Sequence, residues 1–433
     1  MDESLRTAVI SARDWQQAMS LAAAPPVDRI LVAAAGFQGT NRMLSRGLHI
    51  IARTELESWL RRWSELIVIA PDMVRSSADL LEFLQTAKPH RTHRITAVGL
   101  GMGSEAGWLH GIVWTLGTMR MLEQLEVAGP RVRRWQLHRD LGRVSEREQN
   151  RDVPERWSRT AGALGEANWS RLNSTAIAVV GCGRTGSLIA SSLALLGVKR
   201  LVLIDPDRIE AGNLDAMTGV TADDVGHKKV KAVAQHLTSL RPDLIVTGYV
   251  LPAHRRRASE SLVEVDLIIT AVDDDSARLC AARVSSQYLK PHLDVGTGVF
   301  QDSTSDRVMG ADIRYMLPGE GCLECCGGLR RHHDAEYELN RRPSELRRAG
   351  PASWRDERAG SLITLNSVAV GVALQLYVDS LAERFAGSRW MRLEWTPDGQ
   401  VTSQTLRPDF IGDCTTCGRL GLGDFVPINR GGQ

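Results

Sequence analysis

A strong net charge is absent from this chain of 433 residues, which carries 53 Lys and Arg residues against 51 Asp and Glu residues. A formal charge of +2 gives no bulk attraction to nucleic acid or to a membrane surface, so we expect neither as a partner. Met1–Arg13 is charged throughout and contains no apolar segment, so we expect no signal peptide. Internal repeats and low-complexity segments are also absent from the sequence.

Long hydrophobic runs are scarce as well. The longest candidate for a membrane span, Ser361–Val378, contains Asn366 and Gln375, and we predict a buried helix of a globular core there. Hydrophobic residues make up 43% of the chain, which is enough for ordinary cores. The length allows two or three domains.

Cysteine is missing from residues 1–145, and the whole chain contains only seven. Few cysteines in a chain without a signal peptide argue against disulfides and for a reducing compartment, so we predict a cytoplasmic protein. The same 145 residues hold six of the eleven tryptophans and need a core of their own. We therefore predict a smaller α/β or α+β N-terminal domain over residues 1–145 and a second domain over residues 146–433.

Short apolar segments predict the elements of the N-terminal domain. A helix is expected at Pro71–Leu84. Strands are expected at Asp28–Ala35, Leu48–Ala52, His93–Leu100, Gly111–Leu116 and Arg131–Leu137. His90 and His93 could hold a metal ion, but no carboxylate lies near them in the sequence. Solvated loop histidines are therefore the favoured interpretation.

A glycine-rich turn stands near the start of the second domain. Its G-x-G-x-x-G spacing comes from Gly181, Gly183 and Gly186. An apolar strand, Ala176–Val180, precedes the turn, a helix over Ser187–Leu196 follows it, and a strand over Arg200–Ile204 ends at Asp205. In such a βαβ unit the helix N-terminus binds phosphate, and a carboxylate about 20 residues further on binds the ribose. We predict a nucleotide-binding unit; the alternative is a tight structural turn.

Three consecutive aspartates, Asp273–Asp275, follow a predicted strand over Asp266–Ala271. Because the carboxyl ends of parallel strands share one edge of a sheet, Asp205 and Asp273 are predicted to face one crevice. A carboxylate there can hold Mg²⁺ against a triphosphate. Consecutive aspartates can also cap a helix, and we expect one of the three to cap the predicted helix Ser276–Leu289.

Two CxxC pairs occur in the second domain, Cys322 with Cys325 and Cys414 with Cys417. Four thiolates at this spacing predict a tetrahedral zinc site. Because a long insertion separates the pairs, the zinc ion would join two distant segments and its role would be structural. The alternative is four buried free cysteines, and the neighbouring Cys326 is not needed for four-coordination.

The segment Arg330–Gly360 is rich in arginine and poor in apolar residues. It is long for a loop in a compact domain, so we predict a crossing segment. Two interpretations remain open: it guides an acidic or carboxylate-bearing partner, or it is a solvated lid.

Residues 156–433 resemble the ThiF/MoeB/HesA superfamily, the adenylating domain of ubiquitin-activating enzymes. Besides the glycine turn and both CxxC pairs, the resemblance rests on Asn213–Leu214, the Gly-x-x-Lys of Gly226–Lys229, and Asp273 with Arg278. It implies a Rossmann-like doubly wound sheet with a structural zinc site. It also implies an adenylyltransferase that uses Mg²⁺ and ATP to adenylate the C-terminal glycine of a ubiquitin-like or sulfur-carrier protein, releasing pyrophosphate.

The resemblance also implies a role for individual residues. Asp205 would hold the ribose hydroxyls, Asn213 and Lys229 would contact the phosphates, and Asp273 would bind Mg²⁺. Arg159 would reach into the site of the partner subunit, since the family is built as a homodimer. Adenylation brings anions together, so Lys229, Asp273 with its Mg²⁺, and Arg159 are the predicted catalytic residues.

The sequence departs from the family pattern at three places. Ala216 stands where an arginine is common, and Arg184 stands inside the glycine turn, where it either crowds the phosphates or replaces the missing cation. No cysteine lies between Cys326 and Cys414, so a thioester step is not expected unless Cys326 serves. These departures motivate an alternative: an impaired scaffold that binds a ubiquitin-like partner or nucleotide without turnover. A Rossmann dehydrogenase would explain neither Lys229 nor the CxxC pairs.

The N-terminal domain resembles a JAB/MPN-type metalloprotease domain in the order of its elements. The metal motif of that family is replaced by Gly99–Ser104. The resemblance therefore implies an inactive domain that binds a ubiquitin-like tail.

Overall fold

The structure of this chain, a computed structural model, describes most of the sequence. The described residues are 5–23, 28–39, 41–71, 76–90, 92–102, 107–115, 117–129, 133–137, 139–140, 153–301, 307–329, 362–396, 398–406, 408, 413–424 and 426–428. The predicted crossing segment Arg330–Gly360 lies outside them.

The chain divides into two compact units. The first contains residues 1–149 together with 286–289 and 418–427, and the second contains residues 150–285, 290–417 and 428–433. The boundary placed after residue 145 from the sequence stays a prediction. That the first unit takes two short segments from late in the chain was not predicted.

The first unit is built on a mixed sheet with α-helices. Its described strands are β1 (Thr7–Ser11), β2 (Arg29–Gln38), β3 (Arg42–Ser45), β4 (His49–Ala52), β5 (Glu65–Pro71), β6 (Arg94–Met102), β7 (Gly107–Thr115), β8 (Thr118–Met121), β9 (Gln124–Ala128), β10 (Arg133–Gln136) and β11 (Arg139–Asp140). They pair in the order β10-β9-β1-β3-β2-β5-β6-β7-β11, with β4 on β2 and β8 on β7. The helices are α1 (Ala12–Ala23), α2 (Leu56–Arg62) and α3 (Ser77–Thr86).

The five strands predicted in this unit are confirmed with shifted ends. Eight described elements were not predicted from the sequence: β1, β3, β5, β8, β9, β11, α1 and α2. The helix predicted at Pro71–Leu84 begins only at Ser77, because the Ser76 hydroxyl accepts the Asp79 N–H at 3.2 Å and caps it. Residues 72–75 and Gly103–Ser104 lie outside the described residues.

The two histidines of this unit serve its loop. His93 Nδ1 accepts the His90 backbone N–H at 2.6 Å, and Nε2 lies 2.9 Å from the Leu60 carbonyl oxygen. This arrangement agrees with the interpretation of both residues as loop histidines.

The second unit carries a mixed sheet covered by helices. Its described strands are β12 (Ala176–Val180), β13 (Arg200–Ile204), β14 (Ile245–Tyr249), β15 (Leu267–Thr270), β16 (His292–Gln301), β17 (Arg307–Met316), β18 (Arg389–Trp395) and β19 (Val401–Leu406). The order is β14-β13-β12-β15-β16-β17-β18-β19. Pairing is parallel from β14 to β16 and antiparallel from β16 to β19. The helices are α4 (Ser158–Leu164), α5 (Glu166–Ser174), α6 (Arg184–Leu196), α7 (Lys229–Leu240), α8 (Arg256–Val263), α9 (Asp275–Gln287) and α10 (Ile363–Leu381).

The predicted strands at Ala176–Val180 and Arg200–Ile204 are confirmed as β12 and β13, and their apolar side chains are largely buried. Because β12 lies between β13 and β15, the chain reverses direction across the sheet at β12. Open α/β sheets bind ligands at such a switch point, beyond the carboxyl ends of the strands. The glycine turn directly follows β12 and stands at this place.

The buried helix predicted at Ser361–Val378 is α10, which contributes Leu365, Ala369, Ala373 and Tyr377 to the core of the second unit. In the described part of the chain it is the one helix long and apolar enough to cross a membrane, and 56% of its most apolar window is buried in the fold. A core helix passes the same test, and the packing of α10 against the sheet agrees with that interpretation.

Candidate nucleotide and metal sites

The three glycines of the turn have different surroundings. Gly181 has φ +95°, and a Cβ there would lie 2.5 Å from the Ala271 carbonyl oxygen. A Cβ at Gly186 would lie 1.8 Å from the carbonyl oxygen of Gly181. By contrast, a Cβ at Gly183 would have no heavy atom within 4 Å. The first and third glycines are required by packing, whereas the second faces open space, where a phosphate can approach the backbone.

Asp205, which directly follows β13, is nearly buried and holds the turn in place. Its Oδ2 accepts the Cys182 backbone N–H at 2.7 Å, and Oδ1 accepts the Asp207 N–H at 2.8 Å. Burial raises the pKa of Asp205, against the opposing effect of the positive charge of Lys229. A carboxylate can accept about four hydrogen bonds, so these two leave capacity for ribose hydroxyls. Sequence reasoning missed this positioning contact.

Lys229 is the first residue of α7. Its Nζ lies 3.0 Å from Asp207 Oδ2, and its backbone N–H donates to the Asp207 carbonyl oxygen at 3.1 Å. The side chain of Lys229 is mostly buried, whereas that of Asp207 is mostly exposed. Lys229 and Asp205 therefore belong to one electrostatic cluster at the carboxyl edge of the sheet.

Asn213 ends a short 3₁₀ turn, Ala211–Asn213, in the loop after β13. Its side-chain Oδ1 accepts the Glu210 backbone N–H at 2.9 Å, which closes the turn. The nearby Ala216 is buried. The predicted contact of Asn213 with phosphate stays a prediction, and the contact that the structure shows is a local one.

Arg184 begins α6 directly after Gly183. Its Nη2 donates to the Gly212 carbonyl oxygen at 2.7 Å and lies 2.7 Å from Asp215 Oδ1. The guanidinium therefore connects the glycine turn to the loop that carries Asn213.

The three aspartates after β15 have separate roles. Asp274 caps α9, because its Oδ1 accepts the Ser276 N–H at 2.9 Å and its Oδ2 accepts the Ser276 hydroxyl at 2.6 Å. Asp275 begins the helix, 3.9 Å from Arg278. The expected cap is confirmed, and Asp273 is an exposed residue three positions after the end of β15. Its role toward Mg²⁺ stays a prediction.

Arg159 lies exposed on α4, in its first turn. The role implied for it, in the site of a partner subunit, stays a prediction.

The four predicted zinc ligands come together in the second unit. Sγ–Sγ distances are 3.8 Å for Cys322–Cys325, 3.5 Å for Cys322–Cys414 and 3.5 Å for Cys325–Cys417, and all four sulfur atoms lie within 4.8 Å of one another. A tetrahedron of Zn–S bonds of about 2.3 Å has edges of about 3.8 Å. The cysteine cluster can therefore hold a zinc ion. Cys326 stays outside it, with its Sγ directed to the Met316 sulfur at 3.5 Å.

The thiols of the cluster already interact. The hydrogen bond from Cys322 is the largest of the effects that lower the pKa of Cys414, so a thiolate is favoured at that position. Among the residues that the structure describes, these four cysteines form the one group of three or more potential metal ligands close enough to share an ion. His90 and His93 belong to no such group.

Comparison with known proteins identifies the region around the turn. The sequence model of the ThiF family matches residues 157–352. These residues form a ThiF-family domain. The predicted resemblance is confirmed for this part of the chain, and the JAB/MPN-type resemblance of the N-terminal domain stays a prediction.

The ThiF-family domain also has relatives among characterised proteins. The chain is 26% identical over 175 residues to ubiquitin-like modifier-activating enzyme 5 of Drosophila willistoni, across 37% of this chain and 41% of that protein. It is 28% identical over 176 residues to the enzyme of the same name from Oryza sativa subsp. japonica, across 37% and 40%. The chain spans about two fifths of the length of these relatives.

A solved structure, Escherichia coli MccB with ATP, covers 61% of this chain and 75% of its own, at 19% identity and a TM-score of 0.45. This TM-score is too low to establish a shared fold over the matched length.

The ThiF-family domain contains a buried ionic network that the sequence did not predict. Asp294 on β16 is fully buried; its Oδ1 lies 3.2 Å from Arg278 Nε, and its Oδ2 lies 3.2 Å from Arg314 Nη1. Thr270, the last residue of β15, donates its hydroxyl to Asp294 Oδ1 at 2.7 Å. His292 Nε2 lies 2.9 Å from the same hydroxyl, and burial lowers the pKa of His292 to about 4. The network stands beside the strand end that leads to Asp273.

Proposed function

We propose that the ThiF-family domain binds ATP at the glycine turn and uses it to adenylate the carboxyl terminus of a ubiquitin-like or sulfur-carrier protein. The observation that carries this proposal is the asymmetry of the turn. Gly181 and Gly186 are closed by packing, whereas Gly183 opens to space at the N-terminus of α6. Backbone N–H groups and the positive end of a helix dipole make such a place suited to phosphates.

In the proposed reaction, a carboxylate oxygen of the carrier's terminal glycine attacks the α-phosphorus of ATP. The bond between the α-phosphorus and the bridging oxygen of the β-phosphate breaks, and the products are an acyl adenylate and pyrophosphate. Attack by one anion on another needs positive charge around the transition state. Lys229 would supply part of it, and Asp205 would hold the ribose.

Two metal ions have different roles in this proposal. Mg²⁺, held by the exposed Asp273 and the phosphates, would neutralise charge on the triphosphate. Zinc in the cysteine cluster would be structural, because four thiolates fill its coordination and leave no open position. The relatives named as modifier-activating enzymes support an activating function at the level of the family.

The proposal also includes an oligomeric state and a cellular location. A homodimer would bring the exposed Arg159 of one protomer to the site of the other. A cytoplasmic location would keep the cysteine cluster reduced and able to bind zinc.

A second candidate is a scaffold that binds nucleotide or a ubiquitin-like protein without turnover. The observation that favours it is local: Ala216 is buried and provides no cation beside Asn213. ATP binding without chemistry would then be expected.

Exchange of labelled pyrophosphate into ATP distinguishes the two candidates. Zinc-loaded full-length protein is incubated with Mg-ATP and a set of glycine-terminated carriers, with the same carriers lacking the terminal glycine as controls. The adenylation proposal predicts exchange with at least one carrier and its loss on Lys229→Ala. ATP binding without exchange, under conditions where a related adenylating enzyme turns over on its own carrier, would contradict adenylation and favour the scaffold.

A further inference from the structure

The N-terminus of α6 carries a positively charged residue, which is unusual for this end of a helix. A cation in the first turn of a helix is disfavoured, because the unpaired N–H groups there already present positive charge. Arg184 occupies the first position of α6, and this turn contains no acidic residue. The position therefore costs helix stability unless an anion binds nearby.

The ion pair of Arg184 with Asp215 is a weak source of folding stability. The pair is on the surface, with the two side chains 26% and 64% exposed. Exposed ion pairs contribute little to folding. A hydrogen bond from Arg184 Nη2 to the Gly212 carbonyl oxygen at 2.7 Å holds the guanidinium against the loop that carries Asn213.

Arg184 directly follows Gly183, where a Cβ would have no heavy atom within 4 Å. Both the backbone of the turn and the side chain of Arg184 therefore present positive charge at this place. A guanidinium has five N–H donors in a planar fork and binds phosphate oxygens in pairs.

We propose that Arg184 is a phosphate-binding residue of the nucleotide site and that Asp215 competes with the phosphates for it. The triphosphate displaces Asp215 from the guanidinium, while the Gly212 carbonyl keeps the side chain oriented. Arg184 in this way provides the cation that Ala216 does not. The inference rests on the proposed function, because it requires that ATP binds at the turn.

The proposal predicts effects of opposite sign for the two members of the pair. Arg184→Gln loses charged hydrogen bonds to phosphate, so the Kd for Mg-ATP should rise about tenfold or more. Asp215→Asn removes the competitor, so the Kd should fall about two- to fivefold. The double variant should behave like Arg184→Gln alone, because Asp215 acts only through Arg184.

Isothermal calorimetry on the full chain at low ionic strength, with ATP, ADP, AMP and adenosine, tests the proposal. The effect of Arg184→Gln should be largest for ATP and absent for adenosine, which a general loosening of the fold would not produce. Arg256→Gln is the matched control, since Arg256 forms a similar exposed pair with Glu260 at 2.8 Å on α8. It should leave every Kd unchanged, and thermal unfolding should show that all variants are folded.

Two results would overturn the inference while leaving ATP binding intact. An unchanged or tighter Kd for Arg184→Gln would mean that the guanidinium is a bystander or an obstacle. Weaker binding by Asp215→Asn would mean that Asp215 supports the site instead of competing with it. Wild-type protein that binds no ATP would instead contradict the proposed function itself, and the inference with it.

Discussion

The two halves of the sheet in the second unit are held together in different ways. In the parallel half, from β14 to β15, backbone groups form the candidate nucleotide site. Gly181 and Gly186 lie too close to backbone carbonyl oxygens to carry a side chain, and Asp205 accepts the Cys182 N–H. In the antiparallel half, from β16 to β19, side chains with charge or sulfur hold the strands and the turns after them. The parallel half therefore depends on close packing of its backbone. The antiparallel half depends on the pairing of its charged side chains and on the cysteine cluster.

The ionic pairing in the antiparallel half continues outward from Asp294. Arg314 also contacts Asp312 at 3.0 Å, and Arg392 contacts the same Asp312 at 3.0 Å. The indole of Trp390 donates to Asp312 at 2.7 Å and lies 5.0 Å from the Arg314 guanidinium. These arginines lower the pKa of Asp312, against the desolvation that would raise it. The antiparallel half is therefore expected to be the more sensitive to loss of a single charged group or ligand.

Removal of one cysteine of the cluster should have the largest effect on the antiparallel half. Cys414→Ser removes one of four thiolates, so we expect loss of bound zinc and a fall of several kcal/mol in the free energy of unfolding. Metal content by mass spectrometry and chemical denaturation measure the two effects. Cys326→Ser is the matched control, because Cys326 is a neighbouring buried thiol outside the cluster. It should keep one zinc ion per chain; equal zinc loss in both variants would contradict the assignment of ligands.

Removal of the buried anion should come next. Asp294→Ala leaves Arg278 and Arg314 without their shared carboxylate, so we expect a loss of about 3–5 kcal/mol in the free energy of unfolding. Urea denaturation measures it, with the exposed Asp223→Ala as a control that should change stability little. A loss below about 1 kcal/mol for Asp294→Ala would mean that the network does not hold this half together.

Two glycine-to-alanine substitutions test the parallel half. Gly186→Ala should cost about 3 kcal/mol, because its Cβ would meet the Gly181 carbonyl oxygen at 1.8 Å. Gly183→Ala should leave the thermal midpoint nearly unchanged, since nothing lies within 4 Å of its Cβ, while weakening ATP binding. Thermal unfolding and calorimetry separate these effects. Equal destabilisation by both alanines would contradict the asymmetry on which the proposed site depends.

Buried His292 should make the stability of the second unit depend on pH. The pKa of His292 is about 4 when folded against 6.5 when unfolded, so the unfolded chain binds more protons between these values. Its contribution to stability is present above pH 6.5 and falls by about 3 kcal/mol as the pH drops toward 4. His292→Gln should flatten this part of the curve, whereas the exposed His227→Gln should not. The same slope in all three proteins would contradict the buried neutral state of His292.

The parallel half could be predicted from the sequence because its signals are local. Strands Ala176–Val180 and Arg200–Ile204, the turn between them and Asp205 lie within 30 residues, and the alternation of apolar runs with glycines fixes their order. The helix cap at Asp274 follows from local chemistry in the same way. The cysteine cluster joins distant segments, but the CxxC spacing is itself a signal strong enough to predict the partners.

The ionic network could not be predicted, because its members come from α9, β15, β16 and β17. Asp294 meets Thr270 and Arg314 only when both neighbouring strands are in register. The same limit applies to the first unit, where a Cβ at Gly423 would lie 1.8 Å from the Phe37 carbonyl oxygen. Nothing in either local sequence indicates that approach. The contact between Arg184 and Asp215 likewise depends on how two loops meet.

ATP binding at the glycine turn is the premise of the proposed adenylation. The decisive measurement is calorimetry of Mg-ATP with zinc-loaded wild-type protein, with Asp205→Ala, and with the exposed Asp223→Ala as a control. We predict one site per chain in the wild type and in Asp223→Ala, and loss of binding in Asp205→Ala that is still folded by thermal unfolding. Absence of binding at millimolar ATP in folded, zinc-loaded wild-type protein would contradict the account.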